Sequence, residues 1–174
     1  MNQNEKSVSK RGSHPRTNAP KRCARCKQTK PASDFYSSPQ IKDGLTPACR
    51  PCMVVKDSQP PARFSRARSR AKKEKVHWDL ELPWYAEQLA KGCYYCVVGS
   101  TSGHGSGIDR LDPSIGYTIA NCVPCCWACN YVKSDMFYPD EMKLMGALMA
   151  TFEVSRKNLG RTSLHVSYNQ SRKK

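Results

Sequence analysis

Apolar positions are scarce through the first twenty residues, MNQNEKSVSKRGSHPRTNAP, and no aromatic side chain occurs there. A stretch with so little to bury gains nothing from folding, so residues 1–20 are expected to form a disordered basic arm. Beyond it, Phe35 and Tyr36 stand out as the few residues able to form a core, and Asp43-Gly44 reads as a turn. Pro60 and Pro61 then punctuate the chain before PARFSRARSRAKKEKVHW, a helix-compatible run with seven Lys or Arg between Arg63 and Lys75. Pro83 suits the first turn of a short helix over residues 84–91, which Gly92 is expected to end in a left-handed cap. A second helix is expected from Pro139, with Asp140 and Glu141 in the first turn, where the helix dipole favours them. Met142, Met145, Leu148, Met149 and Phe152 follow at i, i+3, i+6, i+7 and i+10, giving one apolar face. That stripe is expected to be packing surface, with a partner-binding groove as its other use.

Charge changes the picture more than length does. The 174 residues suffice for one modest domain and a small satellite. Net charge is +13 over residues 1–80, −3 over 81–150 and +5 over 151–174. With a pI of about 9.5, the chain favours polyanionic partners, because neutralising phosphates releases condensed counterions. Nucleic acid is the expected partner. A secretory signal needs an apolar run behind its positive end, which residues 1–20 lack, and no stretch is apolar enough for a membrane span. The chain is therefore expected to be intracellular, in the cytoplasm of a bacterial host or in a nucleus, and not secreted. In a reducing compartment its ten cysteines are expected to be metal ligands rather than disulfides.

Cys23-x-x-Cys26 and Cys49-x-x-Cys52 enclose 22 residues, near the usual spacing of a four-cysteine zinc ribbon. Each pair forms a tight knuckle that aims two thiolates at one tetrahedral ion. So short a loop folds only with the metal's help. The order C-x-x-C, KPxSDFY, DG, CRxC also resembles the N-terminal ribbon of many phage-type HNH and endonuclease VII-like proteins. A ribbon by itself implies nucleic acid and no reaction.

The second cysteine group carries the chemistry. Cys93-Tyr-Tyr-Cys96 and Cys126-Trp-Ala-Cys129 enclose GHGSGIDRLDPSIGYTIANCVPC, and Asn130-Tyr-Val-Lys133 follows directly. Residues 93–133 thereby resemble the HNH endonuclease pattern: C-x-x-C, an Asp in a short strand, a glycine-containing loop, an Asn, then C-x-x-C-N-x-x-K. What the resemblance implies is a small α+β fold in which a zinc-stapled ββα-metal module follows the zinc ribbon and precedes an amphipathic helix. Strands are then expected over 108–111 and 121–123, with a helix from Trp127. The domain plan becomes a basic arm over 1–20, a ribbon over 21–56, a partly helical basic connector over 57–82, the HNH-like domain over 83–158 and a basic tail over 159–174.

By the same resemblance, Asp109 and Asn130 are the ligands of a catalytic divalent ion, magnesium or manganese, and Asn121 braces the hairpin loop and the base. A hard cation prefers such oxygen donors and keeps open positions for water and phosphate. Two structural zinc ions complete the metals, and no small-molecule cofactor is implied. The chain departs from the pattern at Arg110, where the family has a histidine general base. A guanidinium keeps its proton at any physiological pH and cannot accept one from water. Three readings stand: His104 in the preceding loop replaces the base, Arg110 clamps the phosphate while metal-bound hydroxide attacks, or the module only binds DNA. Cys122 and Cys125 exceed what one zinc needs; they are expected to be buried thiols, with Cys93, Cys96, Cys122 and Cys125 as an alternative ligand set. Asp112 and Asp135 are expected in turns, and Tyr94, Tyr95 and Trp127 around the zinc.

The function expected is a metal-dependent endonuclease acting on DNA, double-stranded by preference, of the kind that mobile elements, phages and large DNA viruses carry. A non-catalytic nucleic-acid-binding protein and a zinc-stabilised protein adaptor are the other classes.

Overall fold

The structure is a computed structural model in which residues 14–96, 107–161 and 163 are described. It divides into two compact units, the boundary falling after Asp57. The fold is a small α+β arrangement, with a four-cysteine group in each unit.

In the first unit, β1 (Lys21–Arg22) pairs antiparallel with β2 (Thr29–Lys30), and the first cysteine knuckle makes the bend between them. Phe35, Leu45 and Ala32 close over Cys23 and Cys49 to make the core. Tyr36 was expected in that core and lies at the surface instead, its ring 4.9 Å beneath the Arg50 guanidinium. Extended backbone sends neighbouring side chains to opposite faces, so burying Phe35 turns Tyr36 outward. Leu45, the partner of Ser37 across the loop, takes its place. Gly44 sits at φ +67°, the left-handed conformation the Asp43-Gly44 turn requires, and its missing side chain leaves room for the backbone of Pro15 and Arg16. Residues 14–20 therefore run along the unit rather than forming part of a loose arm: His14 N–H donates to the Pro39 carbonyl, Thr17 N–H to that of Asp43, and Arg16 Nη2 to that of Ala32. α1 (Arg50–Ser58) grows out of the second knuckle, a helix with no counterpart among the sequence expectations. Pro51 in its first turn forfeits no helical hydrogen bond and pre-sets the backbone.

The second unit opens with α2 (Pro60–Lys73), whose two prolines occupy the first turn. The connector is thus a packed part of this unit. Its Phe64 meets Trp78 and Tyr85 edge-on, with ring centroids 5.5 and 5.4 Å apart. α3 (Leu82–Ala90) follows. Its end departs from expectation: Gly92 has no positive φ, and Lys91 at φ −81°, ψ 161° leads the chain out extended, because Cys93 must enter the sulfur cluster directly. β3 (Gly107–Arg110) and β4 (Cys122–Cys125) pair antiparallel with Asp109 opposite Val123. α4 (Trp127–Lys133) starts on Cys126, whose Sγ accepts the Cys129 N–H, and α5 (Pro139–Asn158) begins where Tyr138 N–H donates to Glu141 Oε2. Among the described residues, no helix is long and apolar enough to cross a membrane.

The apolar stripe of α5 is only partly buried. Met142, Gly146 and Met149 are buried, whereas Leu148 and Phe152 are 53% and 57% exposed. Gly146 causes the rotation. Lacking a side chain, it lets the helix approach the Tyr95–Cys96 backbone, so the contact line follows i, i+4, i+7 from Met142 and swings Leu148 and Phe152 outward. Gly146→Ala tests this contact. A Cβ there would overlap the Tyr95 carbonyl. The overlap outweighs the gain of about 1 kcal/mol in helix propensity, so a net loss of about 1–2 kcal/mol is expected in urea unfolding of the zinc-loaded chain. Unchanged or increased stability would show that the helix does not press on the knuckle.

Candidate metal centres and active site

In each unit the knuckles bring four thiols to one point: Cys23, Cys26, Cys49 and Cys52 in the first, and Cys93, Cys96, Cys126 and Cys129 in the second, the sulfurs of each set lying within 4.8 Å of one another. Zinc–thiolate bonds of about 2.3 Å in a tetrahedron put neighbouring sulfurs about 3.8 Å apart. Cys26 and Cys49 are 4.0 Å apart, and Cys96 and Cys126 3.8 Å. Both sets therefore fit zinc. The Cys49 and Arg25 N–H groups donate to Cys23 Sγ at 3.3 and 3.4 Å, and these donors, the Cys49 amide foremost, hold the Cys23 thiol down at about 5. Such a thiol is ready to bind metal as thiolate.

The spare thiols take separate places. Along β4, Cys122 and Cys125 face opposite ways by strand alternation, and both are buried. Burial pushes Cys122 up to about 12, an inert thiol. Cys125 Sγ donates to the Cys126 carbonyl at 3.3 Å, beside the cluster. The structure does not assemble the alternative set containing both of them.

Asp109 and Asn130 open onto one cavity of about 160 Å³, together with Arg70, Arg110, Tyr117 and Lys133. Strand pairing places Asp109, and the cysteine-capped start of α4 places Asn130. Asp109 is 8% exposed. Burial raises its pKa, while the Tyr95 hydroxyl, donating to Oδ2 at 2.7 Å, and the Lys133 ammonium, 3.4 Å from Oδ2, oppose the rise. Lys133 is 1% exposed and also donates to the Arg110 carbonyl at 2.9 Å. Tyr95 and Lys133 thus fix one oxygen of the carboxylate. The sequence marks neither for this role, although Lys133, three residues after Asn130, shares its side of the helix. Tyr94 does not pack around the sulfurs; it is partly exposed, with the Lys143 ammonium 4.9 Å from its ring centre.

Asn121, 7% exposed, is the brace of the hairpin loop. Its Oδ1 accepts the Asp112 N–H at 3.0 Å, and its Nδ2 donates to the carbonyls of Asp112, Ile115 and Gly116 at 3.0, 3.3 and 3.0 Å. Asp112 itself caps the turn by accepting from Ser114. Arg110 shares this work: Nη1 donates to the Pro113 and Ile115 carbonyls at 2.6 and 3.0 Å, and the guanidinium stacks 5.1 Å from the Tyr117 ring centre. His104 lies outside the described residues.

No family model matches the chain. An uncharacterised protein of Acanthamoeba polyphaga mimivirus, R423, is 35% identical over 74 residues, which cover 42% of this chain. The chain spans only 14% of that relative's length. Among solved structures, the rare-cutting HNH restriction endonuclease PacI is similar over 78% of this chain and 97% of its own, at 22% identity and a TM-score of 0.46.

Zinc content separates the ligand sets. The intact chain is expected to carry about two equivalents, Cys49→Ser and Cys126→Ser about one each, and Cys122→Ser and Cys125→Ser about two, by metal analysis of purified protein. Loss of an equivalent in Cys125→Ser would put that thiol among the ligands.

Proposed function

We propose that the chain is a metal-dependent endonuclease of HNH type, built on a ββα-metal module, that hydrolyses phosphodiester bonds in double-stranded DNA. The observation that carries this reading is the cavity shared by Asp109 of β3 and Asn130 of α4, beside a four-sulfur cluster and rimmed by arginine. A buried carboxylate and a neighbouring amide are the donor types a hard divalent ion takes, so these residues fit magnesium or manganese. Bound there, the ion would supply Lewis-acid stabilisation of charge on the phosphate and the leaving 3′ oxygen.

The chain's own residues prepare the site. Lys133 and Tyr95 hold Oδ2 of Asp109 and favour its ionised form against burial. Asn121 and Arg110 make the loop after β3 rigid, which fixes where substrate meets the carboxylate. Arg110 cannot act as general base, and its contacts to two loop carbonyls support a positioning role. Those same contacts favour the second reading, a module that binds DNA without cutting it.

Supercoiled plasmid with magnesium or manganese decides between them. Nicking is expected from the intact chain, with Asp109→Asn and Asn130→Ala each slowing it by at least about a hundredfold while zinc content stays normal. Tyr95→Phe, which removes one bond to the carboxylate, is expected to slow it about tenfold. His104→Ala slows nicking only if that loop supplies the base. Salt-dependent duplex binding with no nicking in either metal would establish the non-catalytic reading.

A further inference from the structure

Beside Asn130 a second cavity, of about 250 Å³, opens against α2. Its wall is formed by Arg63, Arg66 and Arg70, which fall at i, i+3 and i+7 and so share one helix face. Trp78, Tyr85 and Tyr117 stand around them, and among the described residues no acidic side chain lines the space. Arg70, Ile108, Tyr117 and Asn130 line this cavity and the Asp109 cavity alike, so the two are neighbours along a common wall.

Two features argue that this wall is built rather than a solvated charge run. The first is its rigidity. α2 is tied to the hairpin through Phe64 on Trp78 and Trp78 on Tyr117, the latter pair 4.9 Å apart. Backbone bonds then lock the aromatic strip to the loop: Tyr117 N–H donates to the His77 carbonyl and Asp79 N–H to that of Tyr117, both at 2.8 Å. The distance from the arginine row to Asp109 is therefore set by the fold. The second is burial. Arg63 is 8% exposed, with Nη2 3.9 Å from where a side chain on Gly107 would begin. Burial foremost lowers its affinity for its proton, with Tyr85 opposing the fall and the Arg66 charge adding to it, and an anion in the cavity would favour the charged form.

We propose that Arg63, Arg66 and Arg70 form a second phosphate site that takes a neighbouring backbone phosphate of the strand held at Asp109 and Asn130. Guanidinium forks match phosphate oxygens in pairs, and three on one face can grip a phosphodiester without reading a base. The site rests on the nuclease reading for its substrate, and it gives α2 the task of setting the register of the strand.

The test uses the full chain. Arg66→Gln/Arg70→Gln is compared with Arg68→Gln/Lys72→Gln, from the opposite face of α2. In the Asp109→Asn background, duplex binding across salt concentrations is expected to lose about 0.9 from its log–log slope in the first double variant, the value for one phosphate contact. With Asp109 intact, KM for nicking is expected to rise about tenfold with kcat within about threefold, and the opposite-face variant to keep its KM. A duplex carrying one neutral methylphosphonate beside the nick is expected to weaken wild-type binding and to cost the Arg66/Arg70 variant nothing further. Nicking retained with slope and KM unchanged in that variant overturns the site alone. A reduced slope in a chain that never nicks overturns the nuclease reading and leaves the site standing. If inorganic phosphate stabilises the wild type while the neutral linkage costs it nothing, the cavity serves a free anion and the proposal fails.

Discussion

Four sulfurs meeting at one point is the constraint on which the second unit depends. Among the described residues, its main buried cluster consists of Cys93, Cys96, Cys125, Cys126 and Cys129 with Tyr95, Ala128, Met142 and Met149, while Val123, Trp127, Val132, Phe137 and Met145 pack against it only partly buried. Such a core cannot by itself hold two four-residue strands against a seven-residue helix. A structural zinc ion contributes binding energy of about 10–16 kcal/mol, which makes the cluster the organiser and the apolar contacts its surroundings. The candidate site inherits its geometry from there. Tyr95 is carried by the knuckle that supplies Cys93 and Cys96, and reaches Asp109 from it. Asn130 and Lys133 are carried by the helix that Cys126 caps. Displacing the sulfurs would move the amide, the ammonium and the phenol together.

This dependence explains what the sequence discloses. Metal ligands act through rigid, short-range spacing, so the first four-cysteine group can be read from its C-x-x-C repeats, whereas Cys122-x-x-Cys125 leaves the second open until the HNH resemblance selects Cys126 and Cys129; the helices at Pro83 and Pro139 follow from proline's preference for a first turn. The strand carrying Asp109 is legible only through the resemblance of residues 93–133 to the HNH pattern. What the sequence conceals is set by contacts between distant segments. Nothing local says that Gly146 will press α5 onto the Tyr95 carbonyl and rotate Leu148 and Phe152 into solvent. Nor does composition say that Leu45 rather than Tyr36 completes the ribbon core, or that Gly92 will leave its helix extended. The run of arginines reads as a connector, because its packing depends on Phe64 meeting Trp78 and Tyr85.

Arg110 shows how a residue's position in a motif and its work can separate. It stands next to Asp109 on β3, yet its Nη1 closes onto carbonyls three and five residues ahead. The Asn121 amide, just ahead of β4, bonds to the same loop from its other end. Between them they satisfy carbonyls that a tight turn otherwise leaves to water, and they hold Tyr117 where it meets Trp78. A histidine could not make these contacts, because a neutral imidazole offers one donor where the loop needs a longer reach and more. On the nuclease reading, the exchange gives up a nearby proton acceptor and gains a fixed loop, leaving base chemistry to ion-bound water or to a group reaching in from elsewhere. The charge economy of the site is consistent with that division. Lys133 and Tyr95 orient Asp109 and oppose the rise that burial imposes on its pKa, Arg110 bonds to the loop carbonyls, and the arginines of α2 stand along the adjoining wall.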